Sequence, residues 1–123
     1  MNTQLSILIV DDEVMIVEYL TELLSDVGYR VISAKNGEEG LAAYKKDQSS
    51  IDLVITDQTM PVLTGIELTK KIREIDTETP IIMCTGYSDS VDEGIVKSAG
   101  INSFLKKPIP SEYLLEIIQK LFV

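Results

Sequence analysis

The sequence predicts an α/β fold: a parallel sheet of five strands with helices on both faces. Short apolar runs alternate five times with segments of helical period, which is the pattern of strand-helix units in a parallel sheet. The first run, Leu5-Ser6-Ile7-Leu8-Ile9-Val10, is apolar at nearly every position, as expected of a central strand covered on both sides.

Asp11-Asp12 ends that first strand. Val17, Leu20, Leu24 and Val27 then recur three and four apart, which predicts a helix that turns these four side chains inward. Gly28 is placed to end it in a left-handed cap. Tyr29 to Ala34 is the second strand, and the Asn36-Gly37 turn leads into a helix over Glu38 to Lys46 rather than into a hairpin. Ile51 to Thr56 is the third strand, with Asp57 at its carboxyl end. After a loop from Gln58 to Leu63, Thr64-Gly65-Ile66-Glu67 reads as a capping box for a helix with Leu68, Ile72 and Ile75 inward. Pro80 introduces the fourth strand, Ile81 to Thr85, and Ser90-Val91-Asp92-Glu93 reads as a second capping box for a helix ending near Ala99-Gly100. A fifth strand, Ile101 to Lys106, leads through Lys107-Pro108 to a last helix, Ser111 to Phe122. With right-handed crossovers, these elements predict a flavodoxin-like (βα)5 three-layer sandwich of strand order 2-1-3-4-5. The expectation is one domain over residues 1–123.

Composition narrows the chemistry. The net charge of −9 comes from 20 acidic against 11 basic residues, which argues against a nucleic-acid surface. No histidine is present, so the usual zinc sites, a Ser-His-Asp triad and a histidine phosphodonor are excluded. The lone cysteine, Cys84, sits in an apolar run and reads as a small buried hydrophobe in a reducing compartment. No apolar run approaches the roughly 20 residues of a membrane span, and the start lacks the features of a secretory signal. A cytoplasmic location is the expectation.

In open sheets of this kind, ligands bind at the carboxyl ends of the strands near the switch in strand order. Strand one ends at Asp11-Asp12, strand three at Asp57, strand four at Thr85 and strand five at Lys107. These four strands are neighbours in the expected order, so the five side chains gather at one rim. Carboxylates so placed repel unless a cation neutralises them or a proton is shared. Oxygen-only ligation with few protein ligands suits Mg²⁺, and a hydroxyl and an ammonium beside it are what a phosphoryl group needs. Taken singly, each residue has a plainer explanation: a helix cap, a turn former, an ordinary strand residue, a solvated lysine. Four such coincidences on one rim make chemistry the better account.

Asp57-Gln58-Thr59-Met60-Pro61, followed by Gly65, resembles the phosphoacceptor signature of response regulator receiver domains. Asp11-Asp12, Thr85 and Lys107-Pro108 complete that family's pattern in order, and the resemblance runs from Leu5 to Leu121. The family's chemotaxis member has the strand order given above, so that order is carried over in part from the resemblance. The resemblance implies that Asp57 takes a phosphoryl group from a histidine of a partner kinase or histidine phosphotransfer protein. It implies that Asp12 and Asp57, with the Thr59 backbone carbonyl, ligate Mg²⁺ directly, and that Asp11 acts through bound water. Lys107 would pair with the phosphoryl oxygens, through a cis Lys107–Pro108 bond that aims it into the carboxylates. Thr85 would move toward the phosphoryl group and Phe104 would turn inward behind it, coupling the site to the fourth helix, fifth strand and fifth helix. As a plain core aromatic, Phe104 is compatible with either rotamer. Thr59 and Tyr87 take the places that tune phosphoryl lifetime, and Thr85-Gly86-Tyr87-Ser88-Asp89 resembles receivers attached to hybrid histidine kinases.

The implied protein is a switch that catalyses its own phosphorylation and dephosphorylation, not a metabolic enzyme. Its last helix carries Leu114, Leu115, Ile117, Ile118, Leu121 and Phe122, more apolar positions than one inward stripe requires. Some should stay exposed and form, with the fourth helix and fifth strand, a surface for a partner or a homodimer. A flavodoxin-type cofactor module fits less well, because the first strand-helix turn offers Asp-Asp-Glu where a phosphate cradle wants Gly, Ser or Thr. An aspartyl-phosphate hydrolase usually carries its nucleophile after the first strand in a D-x-D pattern, whereas Asp57 follows the third. A degenerate receiver used only for docking is disfavoured by the intact set of acidic pair, Asp57, Thr85 and Lys107.

Overall fold

A computed structural model describes residues 4–86 and 91–122. Strands and helices alternate along the chain as β1 (Ser6–Val10), α1 (Val14–Val27), β2 (Arg30–Ala34), α2 (Gly37–Lys46), β3 (Leu53–Asp57), α3 (Gly65–Ile75), β4 (Ile81–Thr85), α4 (Glu93–Ala99), β5 (Ser103–Lys106) and α5 (Ser111–Leu121). A short 3₁₀ turn over Gln48–Ser50 precedes β3. All strand pairs are parallel and the order is β2-β1-β3-β4-β5, the predicted flavodoxin-like arrangement.

Alternate strand residues feed two cores, because successive side chains leave a strand on opposite faces. Ile7, Ile9, Leu53, Ile55, Cys84 and Leu105 cluster with Leu20 and Leu24 of α1 and Leu114 and Ile118 of α5. Leu8, Val10, Val54, Ile81 and Met83 cluster instead with Tyr44 of α2, Leu68 and Ile72 of α3, and Val96 and Ala99 of α4.

The helix ends follow local chemistry. Asn36 accepts the Glu39 N–H at 2.8 Å and caps α2 one residue before Gly37. Thr64 and Glu67 form the reciprocal capping box expected of α3. The box read for α4 is corrected: Ser90 lies outside the described residues, and the cap is Asp92, whose short carboxylate accepts from the Gly94 and Ile95 N–H groups. Val27 is 47% exposed, so the inward stripe of α1 closes at Leu24; Val27 sits in the last turn, beside the left-handed Gly28.

At the amino ends of the strands a polar network satisfies its own members. The buried Tyr44 hydroxyl lies 2.6 Å from Thr79 Oγ1, which donates to Asp76 at 3.0 Å. Arg73 donates to the Gly100 carbonyl at 2.7 and 3.1 Å and to the Asp76 carbonyl at 3.1 Å. Asn102 Oδ1 accepts the Ile81 N–H at 2.8 Å.

At the other end, the loop after β3 is tightly closed. The Gly65 N–H donates to the Gln58 carbonyl at 2.9 Å, and Gln58 Oε1 accepts the Ile66 N–H at 2.9 Å. A Cβ on residue 65 would press on the Asp57 carbonyl oxygen and lie 3.0 Å from Gln58 Cα. Both are backbone atoms and cannot swing aside. Gly65→Ala is therefore expected to destabilise the fold by about 1–3 kcal/mol in urea denaturation. At Gly28 nothing lies within 4 Å, so Gly28→Ala isolates left-handed strain at about 1 kcal/mol. A wild-type midpoint for Gly65→Ala would show that the loop has slack.

Candidate functional site

The sheet brings the predicted residues together because β1, β3, β4 and β5 lie side by side. Strand alternation carries Asp11 to the side of Ile9, Asp57 to that of Ile55 and Lys107 to that of Leu105, which is the α1/α5 face. The three line one cavity of about 260 Å³ with Cys84, and Ile16 and Ile109 contribute to its apolar wall.

Asp11 and Asp57 are 4% and 5% exposed, whereas Asp12 faces solvent. Oxygens of the three carboxylates lie within 4.8 Å of one another. Lys107 Nζ stands 3.1 Å from Asp11 Oδ2, 3.3 Å from Asp57 Oδ1 and 3.1 Å from Glu13 Oε1, while Lys106 points to solvent. The Lys107–Pro108 bond is cis, as expected. Asp11 Oδ1 accepts the Glu13 N–H at 2.9 Å, so both Asp11 oxygens are engaged and Asp11, not Asp12, braces the start of α1.

The electrostatics show a rim short of positive charge. Burial pushes the Asp57 carboxyl up to about 6; the Asp11 charge adds to this, Lys107 opposes it, and Asp12 adds a smaller push. Burial also raises Asp11, against the Glu13 N–H and Lys107. For Lys107, burial alone would favour the neutral amine, but hydrogen bonds to Glu13 and Asp11 and the nearby charges outweigh it, so the ammonium is held above its ordinary range. Burial pushes the Cys84 thiol up to about 12, which leaves it inert as a nucleophile.

Thr85 approaches the rim from the other face. It follows Met83 in the alternation, toward α2, α3 and α4. Its Oγ1 is buried without a hydrogen-bond partner among the described residues, a state that costs about 1–3 kcal/mol for a polar group. Phe104 pairs with Met83 in register, is half-buried against the same core, and lines a groove of about 310 Å³ with Val96 and Lys97. Thr59 is exposed, and Tyr87 lies outside the described residues. On α5, Leu114 and Ile118 are buried, Leu115, Ile117 and Leu121 half-buried, and Phe122 exposed. Tyr113 of α5 is 51% exposed and Ile95 of α4 50% exposed.

Two participants escaped the sequence reading. Glu13 was visible as the third acidic residue of Asp-Asp-Glu, but its reach to Lys107 is a tertiary fact. Val62 has φ 73° and is 79% exposed, at the apex of a three-residue turn closed by Leu63 N–H to Pro61 carbonyl at 2.8 Å. A β-branched residue with positive φ is strained, and nothing in local propensity points to it.

No helix among the described residues is long and apolar enough to cross a membrane. Residues 7–119 match the family model of the response regulator receiver domain. The chemotaxis protein CheY of Bacillus subtilis (strain 168) is 38% identical over 117 residues, covering 93% of this chain and 94% of that protein. Hybrid signal transduction histidine kinase M of Dictyostelium discoideum is 32% identical over 120 residues, 94% of this chain but 5% of that protein. The crystal structure of the CheX-CheY-BeF3-Mg²⁺ complex from Borrelia burgdorferi aligns with a TM-score of 0.89 at 31% identity, covering 97% of this chain and 90% of that one. The chain belongs to the response regulator receiver domain family, the signalling switches of two-component systems.

Proposed function

We propose that Asp57 is the phosphoacceptor of this switch. One observation carries the reading: a 5% exposed carboxylate faces a lysine ammonium at 3.3 Å, with two further carboxylates within 4.8 Å. An Asp57 oxygen would attack the phosphorus of a phosphohistidine on a histidine kinase or phosphotransfer protein. The O–P bond forms as the P–N bond breaks, and the histidine nitrogen keeps the electron pair and is protonated from solvent. Lys107 would pair with the phosphoryl oxygens, and the unsatisfied Thr85 hydroxyl would donate to one of them. Phe104 would follow Thr85, changing the surface of α4, β5 and α5.

The donor set suits Mg²⁺: hard oxygens, too little positive charge, and two carboxyls raised by burial. Asp12, Asp57 and the Thr59 carbonyl would hold the ion directly, and Asp11 through water. When bound, it would neutralise charge on the phosphoryl oxygens. The beryllofluoride and Mg²⁺ named for the Borrelia relative support this reading. A protein donor is supported by the exposed Val14 and Met15 at the start of α1 and Val62 after β3, since small donors need no apolar collar. The same site would supply self-dephosphorylation, with no turnover beyond the switch.

Incubation with acetyl phosphate and Mg²⁺ is expected to add one phosphoryl group by mass, and Asp57→Asn to abolish the adduct. An undiminished adduct in the variant would move the nucleophile elsewhere.

Proton and metal compete for the same carboxyl. Because the folded value of about 6 lies above the usual 3.8, Asp57 stabilises the metal-free fold below about pH 4. That contribution, at most about 3 kcal/mol, is lost as pH rises through 6. Urea midpoints across this range should fall for the wild type relative to Asp57→Asn without metal, and the difference should shrink in saturating Mg²⁺. Parallel curves would mean that Asp57 is ionised throughout. Asp12→Ala should weaken Mg²⁺ binding while shifting metal-free stability by no more than about 0.5 kcal/mol.

If the exposed Ile95 of α4 and Tyr113 and Phe122 of α5 serve a homodimer, beryllofluoride with Mg²⁺ is expected to shift the sedimentation coefficient toward a dimer, and Tyr113→Glu to cancel the shift. Unchanged sedimentation would remove the homodimer.

A further inference from the structure

An ammonium has three N–H donors, and Lys107 has three carboxylates around it. Its hydrogen bonds go to Asp11 and Glu13, at 3.1 Å each, while Asp57 is held as an ion pair at 3.3 Å. The third N–H, on the side of Asp57, can meet one phosphoryl oxygen, but a second phosphoryl contact requires Lys107 to release Asp11 or Glu13. Asp11 is a poor candidate, being 4% exposed with its second oxygen fixed by the Glu13 N–H at 2.9 Å. Glu13 is the exchangeable one. Its side chain is 61% exposed, and at the cap position of α1 it makes no capping hydrogen bond, so water can take its place at little cost.

We propose that Glu13 is a positioning residue for Lys107: it shares the ammonium with Asp57 in the resting protein and competes with the incoming phosphoryl group for it. Phosphoryl uptake then includes exchange of the Glu13 carboxylate for a phosphoryl oxygen at Lys107 Nζ. Glu13 thereby slows phosphorylation and weakens the phosphorylated state. The inference rests on Asp57 being the phosphoacceptor.

The test compares wild type, Glu13→Gln and Glu13→Asp in the whole chain at saturating Mg²⁺. It follows the rate of phosphorylation by acetyl phosphate, the affinity for beryllofluoride, and the ¹⁵Nζ resonance of Lys107 in metal-free protein. Glu13→Gln is expected to raise both rate and affinity about two- to fivefold, the range of a partly exposed ion pair, with the gain fading in high salt. Glu13→Asp keeps the charge but loses a methylene of reach, so it should behave as Glu13→Gln does. In both variants the Lys107 resonance should move. Equal or lower rates and affinities in Glu13→Gln would overturn the proposal. So would a wild-type response from Glu13→Asp, which would make the effect one of charge without contact, or an unmoved Lys107 resonance. A wild type that neither takes up phosphoryl nor binds beryllofluoride would instead remove the phosphoacceptor reading, and this inference with it.

Discussion

Lys107 is held in a place where an ammonium would not settle unaided. Its side chain is 15% exposed, and burial by itself favours the neutral amine. What keeps it charged is the ring of Asp11, Glu13 and Asp57, and what lets two of those carboxylates stay buried is Lys107. Neither side is stable in that position without the other. Even so, one ammonium cannot neutralise the carboxylates around it; burial, with a smaller push from neighbouring carboxylates, still holds Asp57 and Asp11 above the usual range. The excess of negative charge at this rim is what a further cation or a proton would relieve.

The pleat of the sheet divides this chemistry between two layers. Asp11, Asp57 and Lys107 lie on the α1/α5 face beside an apolar cavity. Thr85 and Phe104 follow the opposite alternation toward α4. At this rim the two layers meet without a strand between them. A buried hydroxyl with no partner among the described residues on one side and an under-neutralised carboxylate on the other share that edge.

Most of this was legible in the sequence wherever burial and period coincide. β1, β3 and β4 are buried at every position, so each appeared as a mostly apolar run with its rim residue at or just past the end. β5 was harder: Ile101 and Asn102 read as strand, yet Asn102 spends its side chain on the Ile81 N–H and Arg73, and the ladder starts at Ser103. Ser90 to Glu93 matched a capping box, yet the cap is Asp92, whose carboxylate takes the Gly94 and Ile95 N–H groups without a partner glutamate. Asp11 and Asp12 are adjacent and chemically identical, yet one is buried and braced and the other exposed. That division follows from where β1 stops. The contact between Glu13 and Lys107 joins residues 94 positions apart, beyond the reach of any local pattern.

The two ends of the strands have been given different duties. At the amino ends, Tyr44, Thr79, Asp76, Arg73 and Asn102 close a network in which each polar group answers another, joining α2, α3 and β5 where the helices return to the sheet. At the carboxyl ends, charges crowd, the Thr85 hydroxyl finds no partner among the described residues, and Val62 is strained. Cohesion is thus concentrated away from reactivity. A change at the exposed Glu13, Asp12 or Thr59 of the reactive rim can therefore alter its charge while Arg73 and Tyr44 hold the opposite rim together.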